Sequence, residues 1–342
     1  MSLITAFAKL AANIPSNLIK NRSADVDTEI PWNKEREELI SRARWLCQEV
    51  IVAPNELIKK MPKELGCFYG GQWAIYSCCY TAVALANLCR IYPDTKEEML
   101  PKIEELIELT DTPAIRYYDT MKWKEDAMDG LDGPNDHMTY LSLLAWTITH
   151  YKFAGGGTRF DELLEACCQS LHRNMLLSPD LNLRSFPGTP IFLPDMLYTI
   201  VALHNYEQLY NSGKFQDALS RWLEKAQTVW LDKETGLLAS MLTKKLRTPK
   251  SKVRGSYTAL NCSLLALCAD EAFARSQYEQ FKKLFVKKTP VFGIREFIDK
   301  SPMLSFDVDA GPILFGLSPS GTTFALGAAT WLGDWEMRSR LL

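Results

Sequence analysis

Apolar positions along the chain mark out two kinds of helix. The first carries a single stripe at steps of three and four: Leu39, Ala43, Leu46 and Val50; Met99, Ile103 and Leu106; Phe160, Leu163, Leu164, Cys167 and Leu171; Phe215, Leu219, Trp222, Ala226 and Val229; Tyr278, Phe281 and Phe285. Such stripes predict surface helices with one buried face. The second kind is apolar nearly all round, over Trp73–Leu88, Asp136–Tyr151, Asp195–Leu209, Ser256–Phe273 and Ser320–Leu332. Helices of that composition belong in an interior.

The two kinds alternate, and successive inner helices begin roughly 60 residues apart, a period typical of repeat architectures. A unit of inner helix, turn, outer helix and long return loop predicts an all-α protein, an (α/α)6 barrel with long loops on one rim. Residues 1–342 are then one domain, with residues 1–30 forming an amphipathic N-terminal helix and linker. Alternation long enough for a major sheet is absent from the sequence.

The stretches ahead of the inner helices read CFYGGQW, DGLDGPND, SFPGTPIFLPD, KSKVRGSY and DVDAGPILFGLSPSG. All are rich in glycine or proline and carry aromatic or charged residues. Gathered at one rim, they would surround a common cavity with helix N-termini, which favour oxygen-bearing or anionic groups. A small-molecule substrate is the partner expected there.

Composition narrows the field. The 39 basic and 41 acidic residues nearly cancel, and no long basic run occurs, so no nucleic-acid partner is expected. Hydrophobic residues at 47% and charged residues at 23% fit a globular protein. The nine cysteines include the adjacent pairs Cys78–Cys79 and Cys167–Cys168 inside apolar helical patterns and no CxxC spacing. They read as reduced core thiols of a cytoplasmic protein. Lys9 and Asn13 interrupt the N-terminal apolar stretch, which argues against a signal peptide, and no membrane span is expected.

Candidate chemistry concentrates in WKEDAMDGLDGPNDHM, Trp123 to Met138. This acidic, glycine-broken loop leads to His137 in the first turn of an apolar helix, with Asp136 as its capping residue. Histidine can accept and donate a proton near neutral pH, and Glu125 or Asp126 beside Trp123 and other carboxylates would have a raised pKa suited to a general acid. His137 equally suits a hydrogen-bonded structural role. His150, His172 and His204 lie near helix C-termini, where a cation is welcome for structural reasons. Asp195 follows Pro194 at the start of the third inner helix, where capping alone would explain it. Tyr69 and Tyr257 stand at or just before inner helices and could present phenols to a substrate. Asp307 and Asp309 form a short acidic motif without a nearby histidine or third carboxylate, so no metal is expected. Nucleotide, hydrolase-elbow and zinc-protease fingerprints are absent from the sequence, and no cofactor is expected.

The order of several segments resembles the bacterial linalool dehydratase/isomerase family: WKED at Trp123, DHMTYLSLL at Asp136, TRFDELL at Thr158, VWLDKETGLLAS at Val229, GSYTALNCSLLAL at Gly255, then DVDAG and GTTFALGAATWLGD. The likeness runs from about Tyr69 to Trp335. It implies an (α/α)6 barrel, a homo-oligomer with active sites near subunit boundaries, and cofactor-free acid/base chemistry on a terpene alcohol. It places the family's catalytic histidine at His137 and a substrate-side tyrosine at Tyr257. The family's pair of cysteines falls on Ser185 and Pro194, so both thiols are missing, and proline cannot transfer a proton.

Three functions compete. One is a cofactor-independent lyase or isomerase acting on a small apolar alcohol, with His137, Glu125 and Asp126 as catalytic residues and Tyr69, Trp123, Asp195, Tyr257, Asp307 and Asp309 around the substrate. Another is a carbohydrate-active enzyme using Asp126 with Asp195 or Asp309 as paired carboxylates. The third is a binding barrel without catalysis.

Overall fold

The computed structural model describes residues 32–61, 66–250, 252–287, 292–299, 304–307 and 309–342, and for residues 32–34 and 66–69 the backbone alone. The expected helix over residues 1–30 lies outside the described residues, as does the side chain of Tyr69. The fold is predominantly α-helical, with three two-stranded antiparallel sheets among the loops.

Five apolar helices follow one another side by side: α3 (Gly66–Ile91), α6 (Met138–Phe153), α8 (Leu193–Tyr210), α10 (Gly255–Cys268) and α12 (Pro319–Trp331), each packed on the next. Amphipathic helices cover them. α1 (Trp32–Val50), α2 (Pro54–Lys60) and α4 (Lys96–Thr110) lie against α3, and α5 (Pro113–Trp123) joins them there. α7 (Asp161–Leu177) packs on α6 and α8, α9 (Gln216–Thr228) on α8, α11 (Glu271–Phe285) on α10, and α13 (Trp335–Leu341) on α12. Every residue of α6 from Met138 to Tyr151 is buried, and each fully buried leucine among them contributes about 2 kcal/mol. Several threonines of these inner helices satisfy their hydroxyls locally: Thr81 donates to the Ser77 carbonyl, Thr147 to Leu143 and Thr330 to Leu326.

Gly70–Ile91 of α3 is long and apolar enough to cross a membrane by length and composition, a stretch the sequence reading passed over. Its window is 78% buried, so that apolar surface is already consumed by helix packing. The eight described cysteines are free and buried. Burial pushes their thiols up, to about 11 at Cys47 and Cys89.

Two helix boundaries depart from expectation. The apolar run Ser256–Phe273 is two helices, because Asp270 accepts a hydrogen bond from the Phe273 amide and caps α11. Leu193 and Pro194 open α8 with Phe192 at the cap position, so Asp195 lies inside the first turn and its side chain is not a cap.

The loops ahead of the inner helices are stitched together. The Arg184 amide donates to Asp136 at 2.9 Å. β1 (Ile191–Phe192) pairs with β2 (Met241–Leu242), and the Gly255 amide donates to the Glu296 carbonyl at 2.9 Å. β3 (Val286–Lys287) pairs with β4 (Gly293–Ile294), and β5 (Leu304–Asp307) with β6 (Gly311–Leu314). At Gly255 a Cβ would sit 1.8 Å from the Arg295 carbonyl oxygen, a backbone atom that cannot swing aside. Gly255→Ala is therefore expected to destabilise the protein by about 2 kcal/mol or more, read as a lower urea midpoint. An unchanged midpoint would show that α10 and β4 are not held this closely.

Candidate active site at the rim loops

Two clusters of ionisable groups occupy the loops and helix starts ahead of the inner helices, and α5 contributes to both. Its buried face carries Ile115, Tyr118 and Asp119. Tyr118 and Asp119 are adjacent in sequence, and the field of the Asp119 carboxylate reaches the Tyr118 phenol.

The first cluster is built around His137. The residue adopts a left-handed conformation, φ 41°, at the cap position of α6 and is fully buried. It is thus the residue that turns the chain into the helix, rather than part of the first turn, and Asp136 is not its cap: that carboxylate accepts from Arg184 instead. His137 Nδ1 lies 2.5 Å from Asp119 Oδ2, and Nε2 lies 3.4 Å from Glu125 Oε2. Asn135 donates to the same Glu125 oxygen at 2.7 Å, and the Trp123 ring stands 5.3 Å from the imidazole. Gly130 makes this contact possible, since a Cβ there would lie 2.8 Å from Glu125 Oε2 and 3.1 Å from His137 Nε2. Burial opposes a charge on His137. The hydrogen bond and charge of Asp119, with Glu125 adding, outweigh it and hold the imidazole above its ordinary pKa.

Both ring nitrogens are therefore engaged, and of the two carboxylates Asp119 is fully buried while the side chain of Glu125 is 34% exposed. The expectation of a raised pKa at Glu125 is reversed: the Asn135 hydrogen bond, then that of His137, hold it below the ordinary carboxylate range. Asp126 stands apart from the imidazole, gripped by Arg116 Nε at 2.7 and 2.9 Å and accepting from the Met128 amide. That is the geometry of a loop anchor. His150 also departs from expectation. It is buried near the end of α6, where burial first and then Arg90 drive its pKa down to about 3, so it is neutral rather than a helix-end cation.

The second cluster surrounds Asp195, half-buried in the first turn of α8. Ser185, itself buried, donates to Asp195 Oδ2 at 2.5 Å. Burial pushes this carboxyl up to about 6, the Ser185 hydrogen bond pulls down, and Asp309 pushes up. Aromatic pairs frame it: Tyr118 with Phe186 at 6.2 Å, Tyr76 with Tyr198 at 6.4 Å, and Phe192 with Tyr257 at 6.4 Å. Tyr76, Tyr118, Tyr198 and Tyr257 all lie within the field of Asp195. Burial raises each of these phenols, so they remain protonated donors. Tyr198 in turn hydrogen-bonds with Tyr80 through their hydroxyls, and Trp146 packs 5.4 Å from the Tyr80 ring and 5.3 Å from that of Tyr198.

The β5–β6 hairpin closes one side of this cluster. Tyr257 donates to Asp309 Oδ2 at 2.5 Å. Arg254 bonds Glu296 at 2.6 Å and Asp307 at 2.8 Å, while Asp307 also accepts from the Asp309 and Ala310 amides. Asp307 is thereby a hairpin anchor, and Asp309 faces the phenol. Among the described residues no group of three or more His, Cys, Asp or Glu side chains is placed to hold a metal ion.

Of the residues expected at the site, the structure gathers Asp195, Tyr257 and Asp309 in one cluster and His137, Glu125 and Trp123 in the other. Asp119, Tyr76, Tyr118 and Tyr198 escaped the sequence reading. Asp119 had a usable signal, a carboxylate on the apolar stripe of its helix four residues after Ile115. Tyr76 and Tyr80 had another, polar-tipped aromatics one turn apart on an inner helix.

No family model and no curated protein matches this chain. A solved structure similar to it is a polysaccharide lyase, with 14% identity, a TM-score of 0.49, and 98% of this chain and 90% of that chain covered. A likeness of that degree carries no conclusion about the reaction.

Proposed function

We propose that the protein is a cofactor-independent lyase or isomerase that moves protons on a hydroxylated organic substrate, and that its helices form the (α/α)6 barrel expected from the sequence. The observation that carries the reading is Asp195, a carboxyl raised to about 6 by burial, fixed by Ser185, and ringed by protonated phenols. A carboxyl with that pKa is mostly ionised at pH 7 yet basic enough to take a proton from carbon, and phenol hydroxyls can orient the oxygen that departs or migrates. In support of the barrel, the first and last inner helices, α3 and α12, line one cavity together with α6 and α10.

The family resemblance supports the same reading in an altered form. Its two cysteine positions fall on Ser185 and Pro194, and here Ser185 bonds to Asp195, the neighbour of Pro194. Acid/base duty then passes from a thiol pair to a hydroxyl–carboxyl pair shifted by one residue. His137 takes a positioning role, holding Asp119 and Glu125 rather than touching the substrate. The aromatic walls suit a small, largely apolar alcohol.

One observation favours a carbohydrate substrate instead. The charge of Asp309 reaches Asp195 and raises it, and a glycosidase likewise needs two carboxyl groups near one another. A screen of terpene alcohols against oligosaccharides, followed by product analysis, separates the two. For the substrate that turns over, kcat/KM is expected to rise with pH through about 6, because Asp195 must lose its proton to act as base. A profile flat from pH 5 to 8 would remove Asp195 from the mechanism.

A further inference from the structure

Asn87 and His150 stand toward the C-terminal ends of α3 and α6, eleven and thirteen residues beyond Tyr76 and His137 of the two clusters. With Trp146 they line a cavity between α3, α6, α10 and α12, open at its mouth, with an empty volume of about 500 Å³ that includes the solvent there. Tyr80 forms part of its wall, and the hydroxyl contact of Tyr80 with Tyr198 separates it from the Asp195 cluster.

Ser263, Thr323 and Tyr80 of this wall are hydrogen-bonded within the protein, whereas Asn87, His150 and Trp146 are not. Both amide atoms of Asn87, both ring nitrogens of His150 and the indole nitrogen of Trp146 are buried without a hydrogen bond, and these residues are 1%, 3% and 4% exposed. A buried donor or acceptor left without any partner is destabilising, so such orphans favour an occupant that pairs with them. Together they offer donors and acceptors side by side: the amide of Asn87 supplies both, a neutral imidazole supplies one of each, and indole supplies a donor. The rest of the lining is mainly apolar, with Leu260, Leu264, Phe324 and Trp331, and it contains no charged side chain.

We infer that this cavity binds a neutral amphiphile whose head carries both a hydrogen-bond donor and an acceptor, as a primary carboxamide does, and whose apolar tail lies against α10 and α12. No cation lines the cavity to pair with an anionic head, and the charge of Arg90 reaches only as far as His150. Burial keeps His150 from supplying one at neutral pH. A head with acceptors alone would leave the Asn87 carbonyl unpaired. The competing occupant is water, since the cavity is polar at this end and roomy enough to hold several molecules.

The test titrates the full-length protein with hexanamide, hexanoate and methyl hexanoate, followed by calorimetry and by the fluorescence of the wall tryptophans. Hexanamide is expected to bind saturably and at least tenfold more tightly than the other two. Asn87→Leu and His150→Leu are each expected to weaken hexanamide at least tenfold and to narrow its advantage. Absence of saturable hexanamide binding, or equal binding of all three compounds, overturns the inference and leaves ordered water as the only occupant. Full affinity retained in both leucine variants overturns it as well. The wild-type comparison decides the matter even where a leucine variant does not fold.

Discussion

Asp195→Asn is expected to lower kcat/KM by about 10³-fold, the usual worth of a positioned general base, and to remove the acidic limb near pH 6 from the rate profile. The substitution keeps the shape of the side chain and its contact with Ser185, where the amide oxygen can still accept. Folding is therefore expected to survive, and the thermal midpoint should move by no more than a few degrees or should rise, since an ionised carboxyl in this position is penalised by burial. Ser185→Ala should behave differently. It leaves the carboxylate in place without its donor, so the limb shifts to higher pH while turnover at alkaline pH persists. An Asp195→Asn protein that turns over at the wild-type rate would end the assignment.

His137→Leu is expected to act mainly on stability. The imidazole and the Asp119 carboxylate form a fully buried pair, and removal of one partner from such a pair costs about 3–5 kcal/mol because the other charge is left uncompensated. The companion variant, Asp119→Leu with His137→Leu, removes both charges, and its loss is expected to be smaller than the sum of the two single losses. Urea unfolding of the four proteins gives the coupling directly. Strict additivity would mean that the 2.5 Å contact contributes nothing. A single variant as stable as wild type, yet inactive, would return His137 to direct catalysis.

The alternation of inner and outer helices was legible in the sequence because it depends only on how wide an apolar face each helix needs, and α3, α6, α8, α10 and α12 all occur where that pattern put them. Ends were less legible, since they turn on single side chains such as Asp270, which divides one apolar run into two helices. At the site, the sequence drew attention to His137 through the carboxylates beside it. Its decisive partner, Asp119, is eighteen residues away and reaches it only because α5 folds back over α3. Asp195 was weighed as a helix cap, because the register that carries it one step inside α8 is set by Leu193 and Pro194. Burial, which tunes Asp195 upward and leaves Glu125 to be tuned downward, is a property of the assembled loops and helices and has no signature in local sequence.

The free thiols spread through the helical layers supply the protein with built-in timers. A group whose pKa has been pushed to about 11 is almost wholly protonated in neutral solution, and alkylating reagents attack only the thiolate of an exposed cysteine. Each thiol can therefore react only when its own helix opens. Cys78 and Cys79 report on α3, Cys167 and Cys168 on α7, and Cys262 and Cys268 on α10. The order in which these pairs are labelled under native conditions is the order in which the layers come apart.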